Sequence, residues 1–299
     1  MIERRVVMAG GSGLIGGALT WSLQADGIGI THLVRRATRA ANEVEWLTGD
    51  RPLDPEVLEG AAAVVCLNGA SIGRLPWTSA YRETLRESRL VPTRTIATAL
   101  RELGRDAPPL LNASAVGFYG DRPGEELDEA SGPGRTFLAE LCREWEREAL
   151  TAESAARVVL LRTAPLLHRR GVLKPLLALT RLGLSGPLGR GSQIWPWISL
   201  DDEVRAIRHL IDADVEGPVN LVGPTPASAS ETGRELARAM RRPYLLPAPA
   251  WALRSGLGRD AADSLLLADA RVRPAVLHRT GFEFEHRTVR QAISSALAE

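Results

Sequence analysis

Gly10, Gly13 and Gly16 are the residues whose spacing speaks most directly to chemistry. They stand between a short apolar run, Arg5 to Ala9, and a segment with apolar residues at helical spacing, Leu14 to Leu23. In such a strand–turn–helix setting the first glycine permits a tight turn, the second lets the backbone approach a pyrophosphate, and the third lets helix and strand pack closely. The N–H groups of the first helical turn, at Leu14, Ile15 and Gly16, then face the phosphates together with the positive end of the helix dipole. A site for NAD usually places Asp or Glu about 20 residues further on, to bond the ribose 2′-OH. Here the next strand ends in Leu33-Val34-Arg35-Arg36, with Thr38 and Arg39 close behind and no carboxylate among them. A guanidinium suits a 2′-phosphate, and one charge-assisted hydrogen bond contributes roughly 1.5–3 kcal/mol. The sequence therefore predicts NADP(H) as cofactor, with Arg35 and Arg36 as the contacts that select it.

Other chemistry is sparse. Lys174 is the only lysine, so nearly every cation is an arginine that keeps its proton near neutral pH. The five histidines form no HxxH or HExxH pair, and Cys66 and Cys142 fit no metal-ligand spacing, so no metal site is expected and both cysteines read as packing residues.

The elements that must position these residues follow from periodicity. Strands are expected at 28–34, 64–67, 110–114 and 158–161, and helices over about 79–103 and 136–155. This alternation predicts an α/β fold, a Rossmann-like doubly wound parallel sheet with its ligand crevice at the carboxyl ends of the strands. Past Arg162 the texture changes. Residues 165–198 hold an apolar helix candidate and then a glycine-rich stretch ending in Trp195-Pro196-Trp197; a helix over about 203–211 and a strand at 219–222 follow. Residues 1–164 and 199–222 are accordingly read as the dinucleotide-binding domain, and 165–198 with 223–299 as a smaller C-terminal α+β lobe. Within that lobe Val172 to Leu184 is read as core, and the loop from Gly189 to Trp197 as a mobile wall between the lobes.

Composition bounds the partners. The chain has 299 residues, 44% hydrophobic and 24% charged, and 37 basic against 36 acidic residues leave a net charge of +1. Disorder and coiled coil are excluded, and neither nucleic acid nor a membrane is proposed as a partner. Met1 and Glu3 open a segment that resembles neither a signal peptide nor a membrane span, so a cytoplasmic location is expected. A small-molecule substrate and a homodimer complete the expectation.

Several further motifs stand in order along the chain: Asn68-Gly69-Ala70-Ser71, Ser88-Arg89, Ser114-Ala115-Val116-Gly117-Phe118-Tyr119-Gly120, Trp145-Glu146, Leu161-Arg162-Thr163 and Trp197-Ile198-Ser199-Leu200-Asp201-Asp202. With the glycine loop, they make the chain resemble the extended short-chain dehydrogenase/reductases over nearly its whole length. Within that group it is similar to an atypical branch, the epimerase/dehydratase-like proteins of unassigned function. The resemblance implies that Asn68, Gly69, Ala70 and Arg162 also contact the cofactor. It implies, too, a catalytic Tyr-x-x-x-Lys pair, in which the lysine lowers the tyrosine pKa and the tyrosine moves the proton that accompanies hydride transfer. The matching positions hold Leu138 and Cys142, and none of Tyr81, Tyr119 and Tyr244 is followed four residues later by lysine. Ser114, one residue from the expected catalytic serine slot at Ala115, and Tyr119 remain as substitute catalytic candidates. Two functions stay open: an NADP(H)-dependent oxidoreductase or isomerase of unknown substrate, and a non-catalytic NADP(H) sensor.

Overall fold

The computed structural model describes residues 4–49 and 52–298; Met1 and Glu3, used above, lie outside them. β1 (Arg5–Ala9) passes through the glycine turn into α1 (Leu14–Ala25), and β2 (Gly29–Val34) and β3 (Glu43–Glu45) follow. The alternation continues with β4 (Ala63–Cys66), α2 (Ser79–Leu103), β5 (Leu110–Ala115), β6 (Glu126–Leu127), α3 (Phe137–Leu150) and β7 (Val158–Thr163). Then come α4 (Leu173–Arg181), β8 (Ile194–Trp195), α5 (Leu200–Asp212) and β9 (Gly217–Leu221). The chain closes with β10 (Ala227–Ser228), α6 (Ala229–Ala239), α7 (Ala250–Leu257), α8 (Arg259–Ala262), β11 (Arg271–Val272), α9 (Ala275–Arg279) and α10 (Val289–Ala298).

Seven strands form one parallel sheet in the order β3-β2-β1-β4-β5-β7-β9. Val6 to Ala9 and Ala63 to Cys66 are fully buried, as a parallel strand covered on both faces requires, which is why they read as unbroken apolar runs. The strand order reverses between β1 and β4, so the glycine turn after β1 and the Leu67–Ala70 turn after β4 flank the crevice where such sheets take ligands. Thr78, Thr136 and Ser199 cap α2, α3 and α5 by accepting N–H groups of the first turn from Tyr81, Ala139 and Asp202.

Three sequence expectations change. The segment from Ala270 to Phe284 joins the core on the α1/α5 face of the sheet instead of the smaller lobe, whose own core is Leu173, Leu177, Trp197, Leu236, Val289 and Ile293. Of Val172 to Leu184, only Leu173, Leu177 and Thr180 are buried, while Leu179, Leu182 and Leu184 are exposed. The loop from Gly189 to Trp197 is pinned: Gly189 N–H donates to Ala248 O, the Gln193 amide to Leu188 O and Leu266 O, and Ile194 N–H to Asp269, while β8 pairs with β10. Trp197 is buried against Gly223, where a Cβ would stand 2.7 Å from its ring. Its glycines serve close packing rather than mobility.

Candidate functional site

Gly10 has φ +88°, and a Cβ there would come within 2.8 Å of Leu67 O, so the turn admits only glycine. A Cβ on Gly16 would stand 2.4 Å from Gly10 O, and one on Gly11 2.5 Å from the His32 ring. Gly13 differs: a Cβ there would meet only Gly10 O, at 3.3 Å, and otherwise open space. Gly13 is also the N-cap of α1, with no side-chain cap and no acid in the first turn. The N–H groups of Leu14 and Ile15 thus head a helix N-terminus that no side chain among the described residues caps, an arrangement that fits a pyrophosphate.

At the end of β2 the structure separates two residues that the sequence treats as a pair. Arg36 donates through Nη2 and Nη1 to the two oxygens of Glu43, at 2.6 and 2.8 Å, and to Ala37 O. The Glu43 carboxylate also accepts the Arg39 N–H, and its pKa is held at about 2, first by Arg36 and then by Arg39. Arg35 is exposed and makes no ion pair or side-chain hydrogen bond among the described residues. Of the two arginines expected to select a phosphate, Arg36 is thus paired with a β3 carboxylate that sequence reading overlooked, and Arg35 keeps its donors open.

Beyond β4, Asn68 is buried, accepting the Cys66 thiol at 3.8 Å, and Ala70 N–H donates to the Ser88 hydroxyl at 2.9 Å. Arg89 reaches from α2 under the same turn: its guanidinium donates to Ala70 O and Leu85 O, lies over the Trp145 ring and would stand 3.1 Å from a Cβ on Gly69. Asn68, Gly69 and Ala70 thus form one turn braced from below by Ser88 and Arg89.

The expected catalytic candidates lie in a buried chain of polar groups. The Ser114 hydroxyl donates to Glu146 Oε1 at 2.7 Å, and Arg162 grips the same carboxylate through Nε and Nη2 at 2.8 and 2.9 Å. Arg162 Nη1 donates to the Tyr119 hydroxyl at 2.9 Å, which itself donates to Asn220 Oδ1 at 2.7 Å. Asn220 and Val276 N–H both donate to Glu129 Oε1. Burial pushes the Tyr119 phenol up to about 12 against the pull of Arg162. Ser114, Tyr119 and Arg162 are all buried. The three residues expected at the catalytic and cofactor sites thus satisfy one another: Ser114 and Tyr119 are hydrogen-bonded in the interior, and Arg162 places its donors on Glu146 and Tyr119, stacked 3.6 Å above Phe118.

Comparison with known proteins decides the family. The family model for the NAD dependent epimerase/dehydratase family matches residues 6–223, and a domain of unknown function, DUF1731, matches 248–296. The chain belongs to the NAD dependent epimerase/dehydratase family. It is 40% identical to the epimerase family protein Mb2239 of Mycobacterium bovis, over 99% of this chain and 98% of that one. Among solved structures, the human epimerase family protein SDR39U1, crystallised with NADPH, superposes with a TM-score of 0.87 at 28% identity, covering 98% of this chain and 99% of that one. A nucleoside-diphosphate sugar epimerase from Corynebacterium glutamicum gives 0.77 at 31% identity; this chain spans 58% of it.

The positions on α3 that the resemblance matches to the tyrosine and the lysine hold Leu138 and Cys142. Leu138 is buried against Gly117, and Cys142 is a buried thiol pushed up to about 12 by burial, with Glu146 adding and Arg89 opposing. Arg89 therefore acts electrostatically on Cys142, the position that the resemblance matches to the lysine. The sequence shows Ser88-Arg89 but not this placement, which depends on the packing of α2 against α3.

Proposed function

We propose that this chain binds NADP(H) and serves as an oxidoreductase or isomerase on a small molecule, working without a tyrosine–lysine pair. The carrying observation is the uncovered N-terminus of α1 beneath an open Gly13, with Arg35 exposed and unpartnered among the described residues at the end of the neighbouring strand. The NADPH in the human relative's structure is consistent with this assignment. Leu14 and Ile15 N–H would hold the pyrophosphate and Arg35 the 2′-phosphate, while the Asn68–Ala70 turn shapes the wall beside them. When bound, the nicotinamide supplies or accepts a hydride.

Arg89 provides a permanent positive charge under that wall, the electrostatic half of the lysine's role. It cannot provide the other half, since a guanidinium does not give up its proton near neutral pH. The proton that accompanies hydride transfer comes in this reading from water or from the substrate. Because Cys66 and Cys142 are both buried free thiols, the reading goes with a reducing, cytoplasmic setting. The test is oxidation of NADPH against a panel of carbonyl, quinone and sugar-nucleotide compounds. Turnover with any member that Arg89→Met lowers while NADPH still binds supports the enzyme.

A second reading is favoured by one observation: Ser114 and Tyr119 are locked in the buried chain, and Leu138 and Cys142 offer no acid of suitable pKa. In that reading the chain is an NADP(H) sensor. NADPH binding that raises the melting temperature, with no oxidation across the panel, is its expected signature.

A further inference from the structure

The sequence contains two long stretches without a carboxylate, from 154 to 200 and from 236 to 259, bounded by Glu153 and Asp201 and by Glu235 and Asp260. The fold lays them side by side. Leu245 and Leu246 N–H both donate to Ser185 O, at 2.8 and 3.1 Å, and Ala248 N–H donates to Pro187 O. Six of the eight exposed large hydrophobic residues of the described chain gather around this junction: Leu179, Leu182, Leu184, Leu245, Leu246 and Trp251. Leu182, Leu245 and Trp251 are 73%, 75% and 71% exposed, so this is a patch and not the scatter that any surface shows. Lys174, Arg181, Arg241 and Arg242 are exposed on the same two stretches. None of the four makes an ion pair or side-chain hydrogen bond among the described residues. Other exposed arginines of the same stretches do meet acids, as Arg190 meets Asp269 and Arg254 meets Asp263, so these four stand apart as the cations left open at the patch.

We propose that this face of the smaller lobe docks on an anionic phospholipid bilayer. Leucine and tryptophan side chains enter the headgroup boundary, and the unpaired cations meet lipid phosphates. Charge decides between this occupant and a second copy of the chain: a two-fold interface built on this patch would set arginine against arginine, with no carboxylate on either stretch to separate them. No helix among the described residues is long and apolar enough to cross a membrane, so the contact lies on the surface. The sequence expectation of no membrane partner rested on balanced charge, on the absence of like-charge blocks and on reading Val172 to Leu184 as core, of which Leu179, Leu182 and Leu184 are in fact exposed.

The experiment is co-sedimentation of the full chain with vesicles of phosphatidylglycerol and phosphatidylcholine, against phosphatidylcholine alone. The expected result is binding to the anionic vesicles that weakens as salt is added. Brominated lipid should quench a fraction of the tryptophan emission that Trp251→Phe removes, which separates Trp251 from the other exposed tryptophan, Trp21. Leu182→Ser with Leu245→Ser, and separately Arg181→Glu with Arg242→Glu, should each weaken vesicle binding by about tenfold or more. Both pairs should leave the melting temperature and NADPH affinity unchanged, because all four side chains are exposed. No binding to anionic vesicles at low salt overturns the proposal, as does equal binding by parent and both double variants. So does a solution dimer that the leucine pair dissociates while vesicles bind nothing, which would make the patch a self-interface.

Discussion

With both oxygens of Glu43 held by Arg36, removing Arg36 exposes a carboxylate close to the end of β2, whereas removing Arg35 takes away a cation and uncovers no charge. The two substitutions should therefore weaken NADPH binding for different reasons. In calorimetric titrations Arg35→Ala should lose about tenfold to a hundredfold in NADPH affinity with little change for NADH, and Glu43→Gln should not restore it. Arg36→Ala should also lose NADPH affinity, and there Glu43→Gln should recover most of the loss. Equal NADPH and NADH affinity in the parent would remove the basis of both. A buried carboxyl makes a pH prediction. Glu203 accepts the Thr163 hydroxyl at 2.7 Å through Oε1, its Oε2 has no partner, and burial pushes its pKa up to about 8 against the weaker pull of Thr163. Between the unfolded value of 4.5 and about 8 the folded chain keeps a proton that the unfolded chain releases, so stability falls as pH rises through that window. The contribution lost is on the order of 3–5 kcal/mol at the upper end. Thermal unfolding of the parent from about pH 5 to about pH 8 should show this decline, and Glu203→Gln, which retains an acceptor for Thr163, should flatten it. An unchanged slope in the variant would place the titration elsewhere.

The turn between β1 and α1 predicts unlike outcomes for its glycines. Gly16→Ala puts a methyl 2.4 Å from Gly10 O, so the turn must shift; stability should fall by roughly 1–3 kcal/mol and both cofactors should bind worse. Gly13→Val meets only Gly10 O and should cost far less stability while still impairing both cofactors, because its side chain stands in the open approach to Leu14 and Ile15. Melting curves and titrations of the two variants separate packing from ligand approach. This turn was legible in the sequence because strand, glycines and helix are consecutive and each constraint is local. Helix α2 was legible for the same reason, with Thr78 to cap it and Gly104 to end it. The two- and three-residue strands β3, β6, β8, β10 and β11 were not. Glu43–Glu45 carries no apolar run, and the others exist through distant partners, as Arg271 and Val272 do by pairing with Glu126 and Leu127. The stretch from 165 to 198 was hidden likewise, since the hydrogen bonds that shape it come from Leu246, Ala248, Leu266 and Asp269.

For the molecule as a whole, membership of an epimerase family does not carry an epimerase's chemistry with it. UDP-hexose 4-epimerisation needs a base for the hydroxyl proton as hydride leaves, and that help is typically worth roughly 10² to 10⁴ in rate. With Leu138 and Cys142 in those slots, conversion of UDP-glucose and UDP-galactose should be undetectable; turnover of order 1 s⁻¹ would show another group in the role. The cofactor half of the site was readable because it follows one local turn. The catalytic half was not: Ser114 and Glu146, Arg162 and Tyr119, and Tyr119 and Asn220 are 32, 43 and 101 residues apart. Only the fold shows that these residues satisfy one another. Their linkage has a mechanical meaning as well. It ties β5, α3, β7 and β9 together in the interior, with charge-assisted bonds between Ser114, Glu146 and Arg162 whose rupture would strand an uncompensated ion, and a neutral bond from Tyr119 to Asn220. The linked interior behaves as an anvil. Whatever shape change accompanies ligand capture has to be made elsewhere, so amide exchange at Ser114, Arg162 and Asn220 should remain slow with or without NADPH.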